Sequence, residues 1–263
     1  NTTISSNSIA TTFTAGSGEA QMNFVFDSTP YAGKSLVVFE KIYMTVDGED
    51  VLVAQHTDIN DVRQTVLVPS ISTKLVYSKD GVGYKIVPRG IEDVTLVDYV
   101  TYSNVKAGDP WTLTATLMNK TTSDPVLDAD GNAVTVTHTF TPTSDNGIEP
   151  VNINFTRTIS ANMLYADDNW VCFETLSSAI PANNGTAYVV HNDINDANQE
   201  VKHPTISTVA RAQNGSKNVL AEDDQVVTDT VTFGDFNDAI AEVMTSEDNV
   251  VSGNTISGNA VFN

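Results

Sequence analysis

The sequence predicts an all-β protein built of β-sandwiches, and three observations carry that prediction. Short segments alternate apolar and polar residues with period two, the pattern of strands with one buried face. Gly, Asp, Asn and Pro cluster between those segments, where chain reversals are expected. A self-match at a nearly fixed offset then divides the 263 residues into repeated units.

Taken in order, Ala20 to Asp27 (AQMNFVFD) alternates apolar and polar residues apart from the apolar Phe24-Val25-Phe26. Ser35 to Met44 (SLVVFEKIYM) and Val51 to His56 (VLVAQH) are richer in β-branched and aromatic residues. Thr95 to Tyr102 (TLVDYVTY), Trp111 to Met118 (WTLTATLM) and Val151 to Ile159 (VNINFTRTI) complete the clear strands. Phe233 to Met244 (FGDFNDAIAEVM) has a helix-like spacing, but its place in the repeat assigns it to a turn and a strand.

The repeat is explicit. HTDINDVRQ (His56 to Gln64) returns as HNDINDANQ (His191 to Gln199), although the chain has only four histidines. His56 and His191, Gln64 and Gln199, Pro69 and Pro204, and Thr73 and Thr208 are each 135 residues apart, and Glu40 and Glu174 are 134 apart. Asp98 in LVDYVTY has its counterpart at Asp229 in VTDTVTF, and DGNAV at Asp130 to Val134 returns as SGNAV at Ser257 to Val261.

One unit is therefore complete, from about Ile71 to Gln199, within a domain at 67–202. The other is cut: residues 1–66 are its second half and residues 203–263 its first half. Half a sandwich cannot bury its apolar faces and leaves open strand edges. Either a longer tandem array has been cut, or the last half of one chain completes the first half of the next by strand addition. Closure within one chain is less expected, because the halves would leave a central sandwich at opposite ends, roughly 20–30 Å apart. Both ends also echo one strand position: GNAVFN at the C-terminus matches Gly131 to Val136, and SNSIATTF at Ser6 to Phe13 matches Asn132 to Phe140.

Composition narrows the function. Lys and Arg total 13 against 33 Asp and Glu, a net charge of -20, which repels nucleic acid and is expected of a soluble, exported chain. No apolar run of twenty residues predicts membrane insertion, and no basic-apolar signal opens the chain, as expected of a mature or excised piece. The single Cys172, in NWVCFETL, is expected to be buried and allows no internal disulfide. Asn-x-Ser/Thr triplets at Asn1, Asn119, Asn154, Asn184 and Asn214 are potential glycan acceptors in a Thr- and Asn-rich chain.

The recurring polar residues point to chemistry. Glu174 and Asp98 lie within apolar strands, where an ionised carboxylate is costly, so each is expected to be protonated, paired or sharing a proton. A histidine near a threonine and an amide suggests acyl transfer. The His is a base toward the Thr hydroxyl, the Gln carboxamide is the electrophile, and a neutral acid donates to the amide oxygen. The product is a Thr–Gln ester plus ammonia, from one event per domain. Calcium at Asp58, Asn60 and Asp61, or at Asp193, Asn195 and Asp196, is disfavoured because the turns lack a full calcium loop. No zinc, nucleophile-elbow or phosphate-loop pattern occurs, and neither cofactor nor metal is expected.

With these residues in place, GKSLVVFEKIY (Gly33 to Tyr43), QHTDINDVRQTV (Gln55 to Val66), VDYVTYSNVKAGDPWTLTATLMNKTT (Val97 to Thr122) and THTFTP (Thr137 to Pro142) resemble VaFE repeats. These are the T-Q ester-bond domains of Gram-positive surface adhesins and pilin-like stalks. The resemblance implies tandem Ig-like β-sandwiches, one complete and one split, in an extracellular cell-surface protein. It implies an ester between Thr73 on the first strand and Gln199 on the last, with His191 as base and Asp98 and Glu174 as proton-sharing acids. Ser72 is the substitute nucleophile if the register turns Thr73 outward. In the split unit the resemblance implies Thr208 and Gln64 as an intersubunit ester, with His56, Glu40 and Asp229 around them. Two departures occur: in the central set Gln199 is followed by EVKHP where Gln64 is followed by TV, and in the split set FGDFNDAIAEVM differs from LTATLM. The expected role is a stalk or filament subunit whose partners are head-to-tail copies or further repeats. The alternative is an adhesive module binding a ligand through loops, with Tyr165 and Trp170 as candidate contacts.

Overall fold

A computed structural model describes residues 3–9, 16–159, 168–180, 186–221 and 224–234. Strands and one short 3-10 turn are the only regular elements among the described residues, as the period-two patterning requires. Among the described residues no helix is long and apolar enough to cross a membrane. The chain divides into two compact units, 1–70 and 71–263.

In the first unit a 3-10 turn at Thr29–Tyr31 precedes β1 (Ser35–Val37), β2 (Glu40–Val46), β3 (Glu49–His56) and β4 (Thr65–Leu67). β1 pairs with β4 and β2 with β3, both antiparallel. The expected strand at 20–27 does not form. Alternation alone supplies no hydrogen-bonding neighbour, and Val25 is left 91% exposed. The run at 35–44 is broken at Val38, whose N–H donates to Gln64 O at 3.0 Å.

The second unit holds β5 (Ser70–Lys79), β6 (Val82–Tyr84), β7 (Asp93–Ser103), β8 (Trp111–Asn119), β9 (Thr135–Phe140), β10 (Gly147–Thr156), β11 (Trp170–Ser178), β12 (Ala187–His191), β13 (Glu200–Val201), β14 (Thr205–Ala212) and β15 (Val227–Gly234). One sheet has the order β10-β7-β5-β6, and the other has the order β12-β11-β8-β9 with β13 on β11. Pro150 is tolerated because β10 is an edge strand.

The two sheets form a sandwich around one core. Leu75, Leu96, Leu113, Leu117, Ile153 and Leu176 are fully buried within it. On β8 the burial alternates as the sequence does, with Trp111, Leu113, Ala115 and Leu117 inside and the threonines between them partly exposed. Trp170 is in this core at 2% exposure, against Phe155 and His203, which corrects its place as a candidate loop contact. Tyr165 lies outside the described residues.

β14 and β15 form a separate two-stranded ribbon. It leaves Ile206 and Val209 about half exposed, and β2 and β3 likewise expose Ile42, Tyr43, Met44 and Val53. Almost all of 233–244, Ser257 to Val261 and part of Ser6 to Phe13 lie outside the described residues.

Candidate functional site

The site grows from the two sheets and one loop. On β5 the register turns Thr73 inward to 4% exposure and leaves Ser72 exposed, so Ser72 is not available as the substitute nucleophile. Asp98 is fully buried on the neighbouring strand β7. On the facing sheet, Glu174 of β11 stands directly opposite His191 of β12, so the two side chains share a face.

The chain leaving His191 bridges the sheets. Leu75 N–H donates to Asn198 O at 2.9 Å on the Thr73 strand, and Cys172 N–H donates to Gln199 O at 3.1 Å on the Glu174 strand. The Gln199 side chain, with no exposure, is thereby held inside the sandwich mouth. Its Nε2 donates to His191 O at 3.4 Å. A shallow depression above the site is lined by Ser72, Thr73, Asp196 and Asn198.

Asp193 and Asp196 each accept a backbone N–H two residues on, from Asn195 and Asn198, which builds the tight DIND turn. Asp58 and Asp61 do the same toward Asn60 and Arg63. Asp196 Oδ2 also lies 3.2 Å from His191 Nε2. A proton on Nε2 directed at this carboxylate leaves the lone pair on Nδ1, which is buried and has no hydrogen-bond partner among the described residues. From the sequence alone, Asp196 is a candidate only for calcium. The signal was its fixed place three residues before the glutamine in both copies.

The acids are coupled. The carboxyl oxygens of Asp98 and Glu174 and the thiol of Cys172 lie within 4.8 Å of one another. Burial, then the neighbouring Asp98 charge, pushes Glu174 up to about 9. Burial pushes Asp98 up to about 6, opposed by the neighbouring Glu174 carboxyl. Two ionised carboxylates have no proton to share, so the pair bonds only when one stays protonated, and the order of the shifts leaves that proton on Glu174. Cys172 is buried as expected, and its Sγ is 3.5 Å from Glu174 Oε1. Burial and the two acids raise the thiol, so it remains a neutral donor. These three side chains could offer ligands to a metal, but their raised affinities for protons suit them to hold a hydrogen instead.

Half of this arrangement recurs in the first unit. Glu40 stands opposite His56, Gln64 donates to Glu40 and, at 3.4 Å, to His56 O, and Asp61 lies 3.0 Å from His56 Nε2. Gln64 is 9% exposed. Thr208 and Asp229 sit on the other fragment, the β14–β15 ribbon, where both are exposed and Asp229 pairs with Ala210, two residues beyond Thr208.

This geometry agrees with the comparison to known families. The model of the T-Q ester bond containing domain matches residues 1–68, 69–203 and 204–260, and the chain belongs to that family. Domains of the family each form a single autocatalytic Thr–Gln ester and do not turn over a substrate, and they occur in extracellular, cell-surface proteins related to adhesins. No curated protein matches the chain. Among solved structures, two crystal forms of a bacterial adhesin from Mobiluncus mulieris, containing intramolecular disulfide, isopeptide and ester bond cross-links, are similar at 14% identity and a TM-score of 0.40. The match covers 63% of this chain and 76% of that one.

Proposed function

We propose that the chain is a subunit of a cell-surface stalk or filament, with Ig-like domains that are locked by esters both within and between copies. In the central domain, Thr73 Oγ1 attacks the side-chain carbonyl carbon of Gln199 and His191 Nδ1 takes the hydroxyl proton. The protonated acid of the Asp98–Glu174 pair donates to Gln199 Oε1 as negative charge develops there. Collapse of the tetrahedral centre breaks the carbon–nitrogen bond, and the imidazolium returns its proton to the departing ammonia. Asp196 holds the imidazole in the tautomer this requires.

The split unit extends the same chemistry between molecules. The 1–66 fragment carries Glu40, His56, Asp61 and Gln64, and the 203–263 fragment carries Thr208 and Asp229. The observation that favours head-to-tail closure is that each fragment presents exposed apolar strands beside its own, complementary half of one site. A second copy would cover those faces and bring Thr208 to Gln64. Boiling the assembled protein in denaturant should then leave a ladder of covalent multimers. Gln64→Ala should reduce the ladder to monomers while the central ester persists. A single 28.2 kDa band from the unaltered protein would overturn the intersubunit reading.

A further inference from the structure

Between the threonine strand and the glutamine loop lies a lysine that the ester chemistry does not use. Lys85 Nζ donates to Leu75 O at 2.8 Å, Asn198 O at 2.6 Å and Glu200 O at 3.0 Å, with Ala197 O at 3.4 Å. Leu75 is two residues beyond Thr73, and Asn198 and Glu200 flank Gln199. One ammonium therefore joins the backbone beside the nucleophile to the backbone on both sides of the electrophile. Main-chain bonds brace it: Lys202 N–H donates to Lys85 O at 2.7 Å and Val87 N–H to Lys202 O at 2.8 Å.

The same device returns in the split unit. Each lysine follows the hairpin turn that ends its threonine strand, the turn of Gly81 (φ 79°) for Lys85 and that of Gly215 (φ 81°) for Lys217. Lys217 Nζ donates to Ala210 O at 2.7 Å, and Ala210 is two residues beyond Thr208. Two lysines at different distances along the chain from their threonines thus reach the same carbonyl position. A surface lysine that bonds its own hairpin would have no reason to repeat that choice. In the central domain the remaining acceptors come from the loop that carries Gln199. By the repeat, their equivalents are the carbonyls of Arg63 and Thr65 on either side of Gln64.

We infer that Lys85 is a positioning residue for the central ester, clamping the Gln199 loop to the Thr73 strand, and that Lys217 is its counterpart for the split site, where the loop to be clamped is residues 62–65 of a second copy. This inference rests on the ester reading above. Physically, the clamp fixes the carboxamide against the hydroxyl before reaction, and about a 1 Å loss of that placement costs on the order of a hundredfold in rate. The ammonium also lies close enough to Asp98 to favour its ionised form, which keeps the shared proton on Glu174.

The test uses the full chain, recovered unfolded and unreacted in denaturant and refolded by dilution. Intact mass follows the loss of ammonia, and peptide mapping locates each cross-link. Lys85→Met should slow the Thr73–Gln199 ester by about tenfold to a hundredfold, and Lys85→Arg, which keeps a cation with several donors, should be faster than the methionine variant. Lys217→Met, on an exposed ribbon, should leave the central rate unchanged and deplete the covalent ladder. If Lys85→Met reacts at the unaltered rate, or Lys85→Arg is no faster than Lys85→Met, the clamp is overturned while the ester stands. Should Lys85→Met fail to fold, an undiminished ladder from Lys217→Met overturns the counterpart role. If the unaltered chain loses no ammonia, it is the ester reading itself that fails.

Discussion

Thr73→Val separates the cross-link from everything else the site contributes. The hydroxyl of Thr73 is buried and has no hydrogen-bond partner among the described residues before reaction, so replacing it with a methyl group of nearly the same shape breaks none of the bonds seen there. What is lost is the ester. Joining residues 73 and 199 closes a loop of 126 residues. Chain entropy values such a loop at about 5 kcal/mol at 25 °C, whatever the chemistry of the link. With roughly 2.1 cal/mol/K of unfolding entropy per residue, a domain of this size should melt about 15–20 °C lower without the link. Differential scanning calorimetry reads the shift, and intact mass, corrected for the substitution, should show one ammonia retained. A variant that melts with the unaltered protein, while the latter's mass shows the ester formed, would refute the claim that the cross-link stabilises the fold. An unaltered protein that retains its ammonia would refute the ester.

Two further outcomes follow from the site's electrostatics. In the unreactive Thr73→Val background, Glu174 binds its proton up to about pH 9 when folded but releases it near the ordinary glutamate value of 4.5 when unfolded. The folded state then holds more protons than the unfolded one across that window. Stability is fully present below the window and declines through it by up to about 1.4 kcal/mol per pH unit. Adding Glu174→Gln should flatten the decline in urea melts taken at a series of pH values, and an unchanged slope would show that Glu174 is ionised in the fold. For the base, Asp196→Asn keeps the turn's backbone acceptor but removes the carboxylate beside His191 Nε2. Ester formation on refolding should slow by about a hundredfold or more, the scale of a mispositioned general base, and an unaltered rate would remove Asp196 from the mechanism.

Strands with clean alternation were legible because one face is buried: β8 and β10 carry Leu113, Leu117, Val151 and Ile153 inward at every second position. β5 is not among the strands that alternation makes clear, although the family resemblance implies Thr73 on a first strand. Its inward positions include a threonine, and Lys74 interrupts the run, so hydropathy gives little sign of it. The stretch 20–27 erred in the other direction, since a strand needs an edge to bond as well as a pattern. The threonine, glutamine, histidine and two acids could be named because they recur at matching offsets. Asp196 recurs as faithfully, yet an aspartate in a turn ordinarily serves its own backbone, and it does that here as well. Lys85 was hidden for a different reason: its partners are carbonyl oxygens, which leave no trace in the identity of the residues that carry them. Arg157 and His203 were missed too. His203 is buried between two arginines and held neutral, with its affinity for protons lowered to about 3 mainly by burial, in a network that packs on Trp170.

The distribution of unsatisfied groups explains why folding and reaction should be coupled. Nine buried side-chain atoms have no hydrogen-bond partner among the described residues. Six of them belong to Thr73, Asp98, Glu174, His191 and Gln199, and a seventh is Oε1 of Gln64. Each such group costs about 1–3 kcal/mol when left alone, so packing them together raises the energy of the unreacted site. Proton sharing between the acids relieves part of that cost. The reaction removes another part, since the threonine proton leaves with the ammonia and water is shut out of the bond that remains. In the central domain one chain supplies both sides, so folding itself brings the reactants together. On the head-to-tail reading, the split site carries less of that cost until two copies meet: Gln64 Oε1 is already buried without a partner, but Thr208 stays solvated on its ribbon. Reaction there would wait for assembly, and the same residues that lock a domain on folding would lock a filament only after its subunits are in place.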